Sequence, residues 1–138
     1  MSALAPQLGE IPSPRASAVS QPFWDGCARR VLLYQRCAAC GLAMGHPATR
    51  CRRCHAPDPE WTRSEGAGMV YSWSTVWHPQ SSVFTTPYTA VIVELDEGFL
   101  LTSSMVGCDT DDVVCGLRVN VVFHRITDGA LLPYFEPA

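Results

Sequence analysis

The sequence contains no lysine, so all ten of its basic side chains are arginines. It also has no apolar run close to the roughly 18 residues that a membrane-spanning helix requires, and we expect no membrane segment. The first ten residues, MSALAPQLGE, lack the basic start and the long apolar stretch of a secretion signal. We therefore expect a cytoplasmic protein, in which thiols stay reduced and a disulfide framework is disfavoured.

Charge is distributed unevenly along the chain. Residues 27–63 contain seven arginines and two acidic residues, which gives a net charge of +5. Residues 64–138 contain two arginines and nine acidic residues, which gives −7. The whole chain has a net charge of −3, and its 138 residues with 47% hydrophobic content are typical of a globular protein. The sequence thus joins a basic segment to an acidic one.

Residues 1–30 are expected to form an extended arm and a short helix. The arm, residues 1–19, is rich in proline and small polar residues, so we expect it to lie along another surface or to be loose. The helix begins in SQPFWDGCARR, where Ser20 can cap it and Pro22 suits its first turn. Its predicted apolar face consists of Phe23, Trp24 and Cys27.

Four of the seven cysteines form two pairs with the spacing C-x2-C-x10-C-x2-C. These four are Cys37, Cys40, Cys51 and Cys54. Two such turns can direct four thiolates at one centre, and a closed shell of four thiolates is typical of structural zinc. A rubredoxin-type iron centre and disulfides are the alternatives, but the chain has no flavin or pyridine-nucleotide motif, and a reducing compartment disfavours disulfides. We therefore predict a rubredoxin-like zinc ribbon over residues 31–63, in which Gly41 adopts a positive φ.

After residue 63 the pattern changes to the period of two that indicates β-strands. In GMVYSWSTVWH, one predicted face carries Met69, Tyr71, Trp73 and Trp77. Further strands are predicted in YTAVIVEL, FLLTSSMV, LRVNVVFHR and ALLPYFEP, with turns at DEG and TDG. In LRVNVVFHR the residues expected to face inward are Leu117, Val119, Val121 and Phe123. Five strands without a long helix predict a mainly β chain that ends in a small closed barrel over residues 64–138, and this size suggests an OB-fold.

The chain shows no motif of a catalytic site, and we predict no catalytic residues. His78 and His124 have no adjacent serine, cysteine or carboxylate set that forms a triad, and structural or surface roles are expected for all four histidines. The acidic run at residues 109–112 lacks the glycine and the terminal glutamate of a calcium loop. Three cysteines outside the pairs are expected to be buried like small hydrophobic residues. These are Cys27, Cys108 and Cys115.

A cysteine ribbon followed by a small barrel resembles the zinc-ribbon/OB-fold family of proteins associated with acyl-CoA metabolism. The resemblance lies in QPFWDG, LYQRCAACG, CRRCHAPDPEW, GMVYSWSTV, PYTAVIVELDEGFLLTSSMVGCD and DGALLPYFEPA, which agree in order and spacing from about residue 20 to the end. It implies a small subunit that partners thiolase-like enzymes: thiolases, acyltransferases or the lipid-transfer-protein-type aldolases of steroid side-chain breakdown. Some family members are fused to, or paired with, hydratases.

On this resemblance the partner carries the catalytic residues, and the small subunit helps to hold acyl-CoA and stabilises the complex. Arg50, Arg52 and Arg53 are then candidates for gripping the phosphates of coenzyme A, because arginine binds phosphate in a bidentate manner. A solvated basic face is the alternative for this run of charge.

Aromatic residues supply the remaining candidates. Phe84 and Tyr88 flank the predicted loop between the first two barrel strands, where they can line an acyl or pantetheine path or simply pack at the barrel end. Phe23 and Trp24 are candidate anchors for a partner subunit, because aromatic residues dominate many interfaces.

Two other functions compete with the accessory-subunit interpretation. Ribbons and OB-folds both bind single-stranded nucleic acids by stacking bases on aromatic side chains, but the −7 charge of the barrel segment disfavours a polyanionic ligand. A rubredoxin-like electron carrier would contain iron in place of zinc, which metal analysis and a visible spectrum distinguish.

Overall fold

The structure is a computed structural model that describes residues 3–138; residues 1 and 2 of the predicted arm lie outside the described residues. The regular elements follow an extended arm in chain order. They are α1 (Gln21–Ala28), β1 (Leu33–Arg36), β2 (Ala43–Met44), β3 (Glu60–Arg63), β4 (Ala67–Val76), β5 (Tyr88–Leu95), β6 (Leu100–Ser104), a 3₁₀ helix (Thr110–Asp112), β7 (Arg118–Arg125) and β8 (Leu131–Pro137). Over residues 3–138, the longest helix has 8 residues, and no helix is both long and apolar enough to cross a membrane.

The N-terminal arm lies along the barrel of its own chain. Leu4 is buried, its N–H donates to the carbonyl of Cys108 at 2.7 Å, and its own carbonyl accepts from Gly107 at 2.9 Å. Farther along, the side-chain amide of Gln7 pairs with the backbone of Thr85 through two hydrogen bonds, of 2.7 and 3.2 Å. The surface on which an extended arm was expected to lie is therefore supplied by the chain itself.

Helix α1 begins where the sequence predicts, with Pro22 in its first turn. Ser20 occupies the N-cap position but makes no capping bond, because its hydroxyl instead accepts from the N–H of Ser17 at 2.9 Å. Phe23 is buried in the core, whereas Trp24 is half-buried and meets the Phe23 ring edge-to-face at 4.9 Å. The helix therefore packs its aromatic face against the rest of this chain.

A small sheet of order β2-β1-β3 supports the cysteine-containing loops. Both pairings are antiparallel, with Gln35 opposite Met44 in one and opposite Trp61 in the other. The ring of Tyr34 in β1 stacks on Phe99 just before β6, with centroids 4.6 Å apart. This stack joins the ribbon to the barrel through buried aromatic surface.

The second sheet has the order β6-β5-β4-β7-β8, and all of its neighbouring strands are antiparallel. A parallel bridge between Met105 and Phe135 brings its two outer strands together, and the Val106 N–H donates to the Phe135 carbonyl at 2.8 Å. Five antiparallel strands that nearly close in this order form the OB-fold that the sequence predicts. Together with the helix and the cysteine ribbon, they confirm the predicted mainly β class.

The barrel core follows the predicted alternation on β5 and β7. Every second residue of β5, from Thr89 to Leu95, is buried. On β7, Val119 and Phe123 are buried, and Leu117 and Val121 are partly buried against the same cluster. These strands confirm the inward face expected from the sequence.

Strand β4 departs from the predicted alternation. A β-bulge lies between Val70 and Ser72, so that Met69 pairs with Glu94 while Trp73 pairs with Val91. Residues three apart on β5 point to opposite faces, so Met69 and Trp73 also lie on opposite faces. The single face predicted for Met69, Tyr71, Trp73 and Trp77 is therefore wrong, and all four side chains are exposed.

We predict that Phe135→Ala lowers the free energy of unfolding by about 3–5 kcal/mol, because it removes a fully buried ring at the point where the barrel closes. Leu100→Ala is the control, since Leu100 is exposed and its truncation leaves no cavity. Urea unfolding followed by fluorescence measures both. Equal losses in the two variants would contradict the role assigned to Phe135.

Candidate functional site

The two cysteine pairs lie on two turns with the same backbone pattern. In the first turn, the backbone N–H of Cys37 donates to the carbonyl of Leu42, and the N–H of Gly41 donates to the carbonyl of Cys37, both at 2.9 Å. In the second, Cys51 donates to Ala56 and His55 donates to Cys51, again at 2.9 Å. The fifth residue of each turn has a positive φ, 78° at Gly41 and 64° at His55. The prediction for Gly41 is confirmed, and the second turn reaches the same conformation with a histidine.

These turns bring all four predicted sulfur ligands together. The Sγ atoms of Cys37, Cys40, Cys51 and Cys54 lie within 4.8 Å of one another, and two of the separations are 3.5 Å. Four sulfurs bound to zinc at about 2.3 Å would stand about 3.8 Å apart in a tetrahedron, so the donor set fits zinc. Four sulfur ligands complete the shell and leave no position for a substrate, which is the arrangement of a structural site.

The surroundings of the cluster favour the thiolate, the form that binds metal, at Cys40 and Cys51, whereas the pKa of Cys54 is raised to about 11 beside the other cysteine sulfurs. A hydrogen bond from the backbone of Leu42 is the main cause that lowers the pKa of Cys40 to about 6, and the Arg53 guanidinium acts in the same direction. The pKa of Cys51 is also lowered, chiefly by a hydrogen bond from the backbone of Cys54.

The three cysteines outside the cluster differ from one another. Cys27 is buried, and burial raises the pKa of its thiol to about 12. Cys108 is buried as well, and burial again raises its pKa. Cys115 is exposed, so its predicted burial is wrong; its Sγ lies 3.5 Å from the carbonyl oxygen of Tyr71.

An apolar cavity of about 450 Å³ lies between the arm, the start of α1, the ribbon loop and the barrel. Four aromatic side chains that the sequence singled out for two different roles line it together. They are Phe23, Trp24, Phe84 and Tyr88. Phe84 and Tyr88 also contact each other, with ring centroids 6.1 Å apart. The volume lies in the range of small-molecule sites in proteins.

The three candidate arginines lie on the exposed surface of the ribbon, and none of them lines this cavity. Arg53 donates to the carbonyl of Cys40 at 3.0 Å, and Arg50 donates to that of His55 at 3.1 Å. Both therefore brace the cysteine turns. Arg52, between them in sequence, is exposed.

The sequence did not reveal several walls of the cavity. Ile11 and Pro14 come from the arm, and residues 45–47 come from the loop that connects the two cysteine turns. These segments have no local period, and long-range packing alone brings them to the barrel. The loop backbone also lies close to the barrel, because a Cβ atom at Gly45 would clash with the carbonyl oxygen of Leu100.

Comparison with known protein families gives two adjoining matches. Residues 24–60 match the family described as ChsH2, rubredoxin-like zinc ribbon domain, and residues 61–124 match ChsH2, C-terminal OB-fold domain. A solved structure titled Ltp2-ChsH2(DUF35) aldolase is similar over 91% of this chain and 98% of its own, with a TM-score of 0.83 and 30% identity. A DUF35-family structure from Sulfolobus solfataricus, at 13% identity and a TM-score of 0.63, is similar in fold.

Similar curated proteins fall into two groups. A probable enoyl-CoA hydratase alpha subunit of Thermomonospora curvata is 34% identical over 84% of this chain, but the match spans only 37% of that protein. A DUF35 domain-containing scaffold protein of Methanocaldococcus jannaschii is 33% identical over 72% of each chain. The chain is thus similar to one part of the first protein and to most of the second.

We expect the purified chain to contain one zinc ion and Cys40→Ser to lose it. Structural zinc in small ribbons contributes about 10 kcal/mol or more to folding, so this variant should also be insoluble or have a disordered ribbon. Cys115→Ser, a change at an exposed cysteine outside the cluster, should keep its metal. Elemental analysis and a visible spectrum give the metal content and distinguish zinc from iron; a folded Cys40→Ser protein with full zinc would refute the assignment.

Proposed function

Because this chain belongs to the ChsH2 family of zinc-ribbon and OB-fold proteins, we propose that it is a non-catalytic accessory subunit of a thiolase-like acyl-CoA enzyme. The likeness to the Ltp2-ChsH2(DUF35) aldolase, which extends over 98% of that chain, is the observation that carries this proposal. The partner is then a lipid-transfer-type aldolase, a thiolase, an acyltransferase or an enoyl-CoA hydratase subunit.

A scaffold role agrees with what the described residues offer. The four-cysteine site completes its own shell, so it suits holding a fold together better than activating a substrate. The relatives include a protein named as a scaffold and one named as a hydratase alpha subunit, and in the latter the matching region is only part of a longer chain. Since the match spans only 37% of the Thermomonospora curvata hydratase subunit, the activity of that whole protein is not assigned to this chain.

The cavity is the proposed contribution to substrate binding. Its aromatic lining and its 450 Å³ suit an acyl chain or the pantetheine arm of coenzyme A. Thr102, Ser103 and Ser104 of β6 supply polar groups on one wall. Trp24, half-buried at this site, can contact both the ligand and a partner subunit, whereas Phe23 supports it from the core.

We propose that the exposed arginines bind the phosphates of coenzyme A. Arg52 is the best placed of the three candidates, because Arg50 and Arg53 already donate to backbone carbonyls of the ribbon. A free guanidinium can bind a phosphate with two parallel hydrogen bonds. The acyl end and the phosphate end of the ligand would then contact different parts of the chain.

Co-expression tests the accessory role. We expect the chain to co-purify with a thiolase-like or hydratase subunit encoded in the same genome, and we expect that subunit to be unstable or inactive without it. The chain alone should show no thiolase, retro-aldol or hydratase turnover. Cys40→Ser should abolish co-purification and Cys115→Ser should preserve it. A set of such enzymes that are fully active alone and never co-purify with the chain would refute the proposal.

Ligand binding is tested on the same complex. Trp24→Ala and Tyr88→Ala should each weaken the binding of a long-chain acyl-CoA by about tenfold, corresponding to about 1.4 kcal/mol, whereas Tyr71→Ala, an exposed aromatic residue outside the cavity, should not. Arg52→Glu should weaken binding of acyl-CoA more than binding of the free fatty acid, and Arg63→Glu is its control on the same ribbon. Apparent KM compared with the yield of complex separates lost ligand binding from lost docking.

A further inference from the structure

Strand β4 is paired along its whole length on one side and along less than half of it on the other. Its pairing with β5 continues to Val76, but its pairing with β7 covers only Ala67 to Met69. Val70 forms two more backbone hydrogen bonds on this side, one with Gly116 and one with Leu117. From residue 72 to residue 76, no strand of the described chain pairs with this edge.

The backbone groups that face the open edge follow from the ladder. The carbonyl of Thr89 accepts a hydrogen bond from the N–H of Met105, so the backbone N–H and C=O of Thr89 point towards β6. Thr75 lies opposite Thr89, and in an antiparallel ladder its own N–H and C=O must therefore point away from β5. The backbone N–H and C=O of Trp73, two residues earlier, point the same way. Two donors and two acceptors are thus available to an incoming strand.

This edge lacks most of the features that protect edge strands. Proteins usually place lysine, other charges or proline on such strands, which prevents pairing with other chains. Residues 67–77, AGMVYSWSTVW, contain none of these, and the bulge after Val70 is the single protective device. The segment instead exposes 57% of Tyr71, 42% of Trp73 and 59% of Trp77. Exposed aromatic side chains around unpaired backbone are suited to binding rather than to solvation.

Acidic residues predominate in the sequence around the edge. Residues 64–117 contain seven acidic residues and no arginine or lysine, and Arg118, opposite Met69 of β4, is paired with Asp96. The acidic turn at 109–112 leads into the segment in which Cys115 contacts the Tyr71 carbonyl, so it lies next to the start of the open edge. Asp111 is exposed there. A basic side chain on an incoming strand would meet these carboxylates and the faces of the exposed tryptophans.

We propose that residues 72–76 accept an extended segment of the partner enzyme as an added strand, and that this segment carries arginine or lysine beside apolar residues. This inference rests on the proposed accessory function and identifies the surface that performs it. A second copy of this chain is a poorer occupant, because two-fold pairing of this edge would bring two acidic barrels together. Added strands gain affinity from backbone hydrogen bonds and specificity from side-chain contacts.

The test uses the co-purified complex and two variants of one residue. Trp73→Pro removes an N–H that faces the open edge and costs no bond to β5, so the protein should still fold. Trp73→Ala removes the same ring but keeps the N–H. We expect Trp73→Pro to weaken the complex at least tenfold more than Trp73→Ala does. Amide exchange in the segment 71–77 should slow at least tenfold when the partner binds.

Charge is tested separately. Asp111→Lys should weaken the complex and reduce its dependence on salt, whereas Glu10→Lys, the same charge change on the arm, should not. A complex that forms normally with fast exchange at 71–77 and equal effects of the two Trp73 variants would overturn the strand-addition proposal alone. Failure of every partner to bind would overturn both proposals. Protection of this segment in a homodimer of the isolated chain, or by single-stranded oligonucleotides, would assign the edge to another occupant and also overturn it.

Discussion

Four thiols held within 4.8 Å of one another take the place of the hydrophobic core that residues 37–56 lack. This segment contributes only short strand β2 and two tight turns, which cannot bury enough apolar surface to fold by themselves. Once the turns are fixed, the loop between them is presented at a defined position, and residues 45–47 complete a wall of the cavity. The cavity therefore depends on a four-cysteine cluster that does not line it.

Local sequence patterns were sufficient to predict the parts of the molecule with regular ligand spacing or regular strand periodicity. The paired cysteines and the alternation on β5 and β7 express ligand spacing and strand periodicity, so the ribbon and most of the barrel followed from the sequence. The bulge on β4 was not visible because one inserted residue reverses all later side-chain directions without changing composition. The cavity was not visible as a unit because its four aromatic residues come from separate segments that only the tertiary fold brings together.

The basic and acidic segments of the sequence form different parts of the fold, the ribbon and the barrel. The basic ribbon uses two of its arginines to brace the cysteine turns, so its positive charge is partly structural. The acidic barrel uses one carboxylate, Asp96, in an exposed ion pair with Arg118 at 2.8 Å. The two surfaces would orient a charged partner before any contact forms.

Gln7 limits how the arm can vary among related sequences. Its amide both donates to and accepts from the backbone of Thr85, as one strand does with the next, because a primary amide carries a donor nitrogen and an acceptor oxygen side by side. Glutamate at this position would face the Thr85 carbonyl with a second oxygen, and asparagine would be one methylene too short. A segment whose composition suggests free substitution therefore contains one position where the two side chains most similar to glutamine are disfavoured.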